Sequence, residues 1–437
     1  MRIRPTLRGR AASADSAAAD DGDAAAARPF ALHFCALKLR DPETFLLAGD
    51  NGTREAGAAY LWRWRDDTYT PLLGGQSANC HDIQWSYGAP GLHGALWMPD
   101  VAPGVALVEY NATTGAVLRK VDVNHTLDIN HAQLINGDAA AVVSSRETDS
   151  FVKLDVATGA VLWTLGGSWG EFDVIDERGA RTPAGRSYFA GQHNVEYYGE
   201  VVDEATGRLV EEYGMFDNMF GRQASSRVLV LRVDADAKEA RVSYEKRVGA
   251  YCPEFGDADR LPSGNILSTF WVQGFNATAW GARDAREQFD MRAEETVVST
   301  HLPAWRLDVQ GPACDGAMCH HSYQPMFTWR AYSVERFYEA PLVWNVSCDG
   351  GDAGAPPRLR FATASSFKQQ NPAPASYAVR NATGATVAAG SFSFRPHWQA
   401  TPVNVSLAGC GAAACASGEL TVVNEWGDNT TAVFRCE

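Results

Sequence analysis

A chain of 437 residues, 46% hydrophobic and 11% aromatic, is long enough to bury more than one ordinary core and reads as globular. Its net charge of −14 and pI near 5.2 argue against nucleic acid, which needs a basic face to meet phosphates, so any anionic ligand requires a local cationic pocket. No apolar run approaches the roughly 20 residues of a spanning helix, and no transmembrane segment is expected.

Residues 1–28 combine an Arg-rich start with Ala, Asp and Ser and almost no large apolar side chains, the composition of a disordered leader that lacks the apolar region of a secretory signal. From Pro29 onward the pattern is strand-like, beginning with the alternation of Phe30-Ala31-Leu32-His33-Phe34 and recurring to about residue 330 without a long amphipathic helix. A strand, a polar turn ending in Gly and a second strand occur at Val105–Leu118 and again at Phe151–Trp163, with a degenerate copy at Val228–Ala237. The first two copies lie within the roughly 40–50-residue period of a four-stranded propeller blade, and about 300 residues at that period make six or seven blades. Asn136-Gly137, Tyr198-Gly199 and Ser263-Gly264 read as turns after inner strands. A β-sandwich with look-alike hairpins is the competing architecture. Beyond about residue 337, Pro356-Pro357 and Asn371-Pro372-Ala373-Pro374 separate short strands at the spacing of a small C-terminal β-sandwich. The expected division is a leader at 1–28, an all-β, six-bladed propeller at 29–336 carrying the chemistry, and a sandwich-like domain at 337–437.

Eight Asn-x-Ser/Thr sequons (Asn51, Asn111, Asn124, Asn276, Asn345, Asn381, Asn404 and Asn429) and nine cysteines, among them the close pairs Cys314/Cys319 and Cys410/Cys415 with Cys348 and Cys436 near the ends of the C-terminal region, suit an oxidising, secretory compartment. The bland alternative is a cytosolic chain with free thiols. Cys314, Cys319, His320 and His321 could hold a metal, but a local disulfide fits the same spacing, and no metal site is assigned.

Chemistry-bearing residues converge on the run from Asn130 to Asn218, densest at Gly191–Asn194, with His81 standing before it. His81, His131 and His193 are spaced near one-blade intervals, which would bring three imidazoles from successive inner strands to one mouth of the channel. Any one of them alone reads more simply as a structural histidine.

In order along the chain stand His81-Asp82-Ile83, His131-Ala132-Gln133-Leu134 before Asn136-Gly137, Ser144-Ser145-Arg146, Leu154–Gly167, Gln192-His193-Asn194 and Phe216-Asp217-Asn218. This series resembles the arylsulfotransferase (arylsulfate sulfotransferase) family, whose members are six-bladed propellers. The resemblance implies that His193 is the sulfurylated nucleophile, that His81, His131 and Arg146 line the sulfate pocket, and that Gln192, Asn194 and Asn218 contact substrate. Four positions depart from the family pattern: Gln133 for Asn, Glu147 for His, Thr164 for Arg or Lys, and Asn194 for Asp. Glu147 would oppose an anion if it pointed inward.

The residue types suit the chemistry. A neutral imidazole is a nucleophile at pH 7 whose N-sulfuryl adduct is also a good leaving group. Charge on the transferring group spreads over three oxygens, so catalysis rests on positioning and on cationic donors, the part read for Arg146 and a protonated His81 or His131. No P-loop or Gly-rich phosphate cradle occurs, so transfer from a phenolic sulfate ester to a phenolic acceptor is expected without cofactor or nucleotide donor (PAPS). The alternative is a secreted or surface propeller that binds glycans or proteins without catalysis.

Overall fold

A computed structural model describes residues 33–50, 57–79, 81–87, 94–101, 105–204, 206–222, 224–273, 289–309, 332–350, 356–408 and 415–436. The leader, Asn51, Asn276 and the Cys314–His321 run lie outside the described residues.

The chain is all-β, a propeller followed by a small sandwich. Among the described residues five antiparallel meanders succeed one another, and each begins with an inner strand: His33–Asp41, Gln84–Trp85, Ile129–Ile135, His193–Val202 and Asp257–Arg260. We number these blades one to five. A sixth blade would have to draw on residues outside the described ones. The fourth blade carries an added ribbon, Asp173–Ile175 and Arg181–Thr182, laid parallel on its outer strand Glu239–Arg247, which covers an otherwise open edge.

The apolar residues of each blade point to both faces, and the core is divided accordingly into layers between neighbouring blades. Leu46, Leu61 and Leu96 fill the first seam, Trp97, Leu107, Leu134 and Val152 the second. Phe151, Trp163, Phe172, Phe189 and Tyr213 fill the third, and Phe216, Val228, Phe270 and Trp271 the fourth. Burying both faces of every sheet explains the near-continuous apolar runs in the middle strands.

The repeated hairpins are the outer strand pairs of blades two, three and four. In each, an acidic or amide side chain (Asn111, Asp155, Asp234) accepts backbone N–H groups of the turn, and the fifth turn residue is left-handed: Gly115 and Gly159 at φ 71° and 72°, Lys238 at φ 53°. The third copy looked degenerate because Lys replaces Gly, yet its Asx turn is the same. Asn136-Gly137 and Ser263-Gly264 are turns as read. Tyr198-Gly199 is not: Gly199 sits inside His193–Val202 at a bulge, φ 115°, where a Cβ would collide with the side-chain amide of Gln399. The glycine there answers a close approach by the C-terminal region, with which a local reading cannot reckon.

The C-terminal sheets, Leu342–Asp349, Arg358–Ala364 and Thr401–Ser406 against Ala373–Asn381, Thr386–Phe394, Ser417–Asn424 and Asn429–Arg435, enclose Leu359, Phe361, Val379, Phe394 and Leu420. A disulfide joins Cys348 to Cys436 across 88 residues. Residues 332–338 strap the fifth blade to the first, with Arg336 on Glu295 and Phe337 against Phe45. Closing so long a loop restricts the unfolded chain, so Cys348→Ser should destabilise the C-terminal sandwich by about 2–5 kcal/mol, read as a lower urea midpoint with a slope that rises as the denatured chain expands.

Candidate functional site

His193 opens the inner strand of blade four and is 3% exposed. Its register to the neighbouring strand shifts between His193 and Glu196, and Asn194 is left-handed at φ 47°, a conformation that Asn tolerates better than most side chains. The bulge turns the imidazole away from the regular pleat. Before it, Gly191 at φ 65° packs so closely on Phe220 that a Cβ would fall 2.6 Å from that residue's Cβ. Asp149 anchors the same loop by accepting the Gly191 N–H at 2.7 Å.

The imidazole has a defined tautomer. Nδ1 faces two oxygens, Asn218 Oδ1 at 2.7 Å and the Gly191 carbonyl at 3.1 Å, so it carries the hydrogen. Asn218 cannot turn its amide around, because its own Nδ2 donates to the carbonyls of Cys252 and Phe255. Nε2 is then the nucleophilic atom, and it accepts a long 3.3 Å bond from the Phe255 N–H. Burial pushes the His193 pKa down to about 3 against the Asn218 bond, with Arg146 and His81 adding repulsion. Asp217 completes the motif by accepting the N–H groups of Ala190 and Met219 and pairing with Arg227 at 2.8 Å.

Around Nε2 the walls are aromatic. Tyr332 stands edge-on to His193 at 5.7 Å and to His81 at 6.3 Å between ring centroids, Phe255 is 5.0 Å from Tyr332, and the Tyr332 hydroxyl donates to the Asn130 carbonyl. Arg146 lies over the Phe220 ring, with Nη1 on Glu147 at 2.5 Å and Glu147 turned half out to solvent. His81 and Arg146 are near enough to each other, and to His193, to oppose one another's charge. Burial pushes the His81 pKa down, only partly countered by Asp128 and Asp82, so the protonated His81 read from the sequence is not the state that this site favours without an anion.

His131 is placed differently. It is 3% exposed and holds Asp82 through Nδ1 at 3.0 Å, with Nε2 buried and unpartnered. Burial opposes ionisation of Asp82, but Lys38 and His131 overcome it and hold the carboxyl below the usual range. No contact described joins His131 directly to His193. Gln192 reaches across to blade three, its amide donating to Ser144 Oγ and the carbonyls of Ser145 and Ser150, so its donors serve a joint between blades. Asn194 supplies backbone geometry. Of the three residues read as substrate contacts, Asn218 holds His193, and Gln192 leaves its Oε1 without a hydrogen-bond partner. Thr164 is buried and bonds His125 Nδ1 at 2.9 Å, so the position where the family carries Arg or Lys here joins blade three to a loop histidine.

Four buried side-chain atoms at this joint have no protein partner: Asn130 Oδ1, His131 Nε2, Arg146 Nε and Gln192 Oε1. Buried polar atoms are ordinarily satisfied; other exceptions, such as Tyr244 Oη and Trp398 Nε1, lie elsewhere, and these four belong to the strands and loops that carry His131, Arg146 and His193. A cavity of about 340 Å³ lies elsewhere, between blades one and two and the sandwich, lined by Phe45, Trp85, Tyr87 and Trp426. It holds none of the converging side chains, and the orphaned atoms outweigh its volume as evidence. The sequence did not single out Tyr332, Phe255 or Phe220, since isolated aromatics carry no local signal.

Replacing Asn218 by Leu should remove the acceptor that fixes Nδ1–H and strand two carbonyls, lowering stability by about 1–3 kcal/mol and giving mixed His193 tautomers in imidazole nitrogen spectra. In the native protein the depressed His193 pKa makes the folded state lose stability as pH falls from about 6.5 towards 3, because only the unfolded chain takes up that proton; a melting temperature flat across this window for both native protein and His193→Gln would overturn the assignment.

No curated protein matches the chain. Among solved structures it is similar to hydrazine synthase of Kuenenia stuttgartiensis (12% identity, 76% of this chain and 77% of that one, TM-score 0.35). It is also similar to the periplasmic gluconolactonase PpgL of Pseudomonas aeruginosa (14%, 63% and 69%, 0.33) and to the Dos1 propeller (11%, 78% and 71%, 0.33). Scores this low carry no argument about the site. Residues 127–310, which span blades three to five and hold His131, Arg146, His193 and Asn218 but not His81, match the family model described as Arylsulfotransferase (ASST), so it is the arylsulfotransferase family that this chain resembles.

Proposed function

We propose that the protein transfers a sulfuryl group from a phenolic sulfate ester to a phenolic acceptor through His193, with no nucleotide donor. The observation that carries this reading is the buried neutral imidazole with Nδ1–H fixed on two oxygens, close enough to Arg146 to feel its charge, while Arg146 Nε is left without a hydrogen-bond partner. Nε2 attacks sulfur, the S–O ester bond breaks and phenolate leaves. His193 keeps its Nδ1 proton, so the ring of the adduct is cationic, and the Asn218 and Gly191 oxygens stabilise it. An acceptor phenol then attacks sulfur as the N–S bond returns its electrons to Nε2 and the phenolic proton passes to a base. Phenols leave as anions with a pKa near 10, so modest proton assistance from His81 or His131 is enough, whereas an alkyl alcohol would need far more. Arg146 would draw its guanidinium N–H groups to the sulfuryl oxygens in competition with Glu147.

The rival reading, a binding propeller without chemistry, has one observation in its favour: His193 lies behind Tyr332 and Phe255, and Arg146 is already paired. Under the transfer reading those rings move aside or stack on the entering aryl group.

Incubation with 4-nitrophenyl sulfate alone should add one SO3 to the peptide containing His193. Adding a phenol should discharge it, and His193→Ala should lose both the adduct and at least about 10³ of turnover. Full activity in His193→Ala would remove the mechanism; no nitrophenolate release by the native protein would favour the binder.

We further propose a secretory-pathway setting. The Cys348–Cys436 disulfide supports it, as do sequon asparagines Asn124, Asn345, Asn404 and Asn429, all exposed. No helix among the described residues is long and apolar enough to cross a membrane.

A further inference from the structure

The C-terminal sandwich sends two loops into the propeller channel. Lys368 places Nζ 2.5 Å from Glu196 of blade four and 2.6 Å from Asp259 of blade five, with Glu335 of the strap at 3.9 Å. His397, from the second loop, meets the side chain of Gln133 of blade three. On the other side Glu335 approaches Lys38 of blade one at 3.7 Å, and Lys38 stands 3.7 Å from Asp82, which holds His131 at 3.0 Å. All five side chains, Lys368, Glu335, Lys38, Asp82 and His131, are at most about a fifth exposed. Glu335 divides its two oxygens between the two lysines, and Asp82 shares its two between Lys38 and His131.

We propose that Lys38, Glu335 and Lys368 are positioning residues for the site: through Asp82 they set the protonation and orientation of His131, which makes the C-terminal sandwich part of the catalytic apparatus. The inference rests on the reading that His131 belongs to that apparatus. In a poorly solvated channel each charge acts on the next over several ångströms. Lys38 neutralises Asp82, so Asp82 draws less strongly on a His131 proton. Glu335 competes with Asp82 for Lys38, and Lys368 moderates that competition. Asp82 from blade two faces His131 directly, Lys38 from blade one reaches it through Asp82, and His397 from the sandwich is near enough to feel its charge, with burial, Lys368, Lys38 and His131 holding His397 neutral. An Asp-oriented histidine with a free Nε2 is the form of a proton carrier.

The signs can be separated in the full chain by following the His131 ring Cε1–H resonance against pH. Lys38→Met removes a cation and should raise the His131 midpoint by about one unit, and Lys368→Met should raise it less. Glu335→Gln removes an anion and should lower it. Lys120→Met, which breaks the pair of an exposed lysine with buried Asp100 at 3.4 Å on blade two, should leave the midpoint unmoved. Opposite shifts in Glu335→Gln and the lysine variants support the proposal. Superimposable titrations, or shifts of one sign in all variants, overturn it. Should a lysine variant fail to fold by circular dichroism, Glu335→Gln against the native protein still decides. The titration needs no turnover, so an inactive native protein would count against the transferase reading and leave this result standing.

Discussion

A carboxylate withdrawn from water must be met by a cation or keep its proton, and the centre of this propeller is organised by that constraint. Asp82, Glu196, Asp257, Asp259 and Glu335 come from three blades and the strap, and Lys38 and Lys368 are the lysines among them. The lysines are too few for all five acids. Burial and mutual repulsion accordingly push the carboxyls of Asp257 and Asp259 upward, while Lys38 and Lys368 are driven further into their charged forms by the carboxylates around them, against the effect of burial. Removing Lys368 would leave like charges facing one another across blade boundaries. The sandwich is thereby tied to the propeller through charge as well as through Gln399 on the Tyr198 carbonyl and Asn371 on the Gly137 N–H.

The same economy of partners explains the candidate site. Asp217, Asp149, Asn218 and Gln192 spend their hydrogen bonds on backbone and on one another's loops, and the result is one imidazole whose tautomer admits no choice. Beside them Arg146 Nε, His131 Nε2 and the amide oxygens of Asn130 and Gln192 have no hydrogen-bond partner. The supports are fixed, and Arg146 Nε is the unspent donor on which stabilisation of a developing negative charge would draw.

The departures from the family pattern fall into different physical classes. Asn194 keeps the left-handed bulge and puts a neutral amide beside His193 where the family pattern has a carboxylate. Thr164, where the resemblance implies Arg or Lys, spends its hydroxyl on His125, a neutral contact beside Trp169, which stacks on that histidine at 5.4 Å. Glu147 has the greatest consequence, because it takes one arm of the Arg146 guanidinium while remaining outward enough to be displaced. Gln133 fills its place by joining the Tyr197 N–H to His397.

How much could be read without the fold follows the range of each interaction. Strand alternation, the polar turns ending at Gly115 and Gly159 and the blade-length repeat depend on neighbours a few residues away, and the sequence by itself determined them; motif order made His193 the candidate. Gly199 misled as a turn because its cause, Gln399, lies 200 positions on. Tyr332, Lys368 and His397 carry no local pattern, since a lone aromatic or basic residue in a loop looks alike wherever the loop goes. Only the tertiary structure decided that they enter the channel and the site, because closing a ring of blades brings together side chains whose energetic reason for being there, a buried charge or a carbonyl without a donor, exists only once the ring has closed.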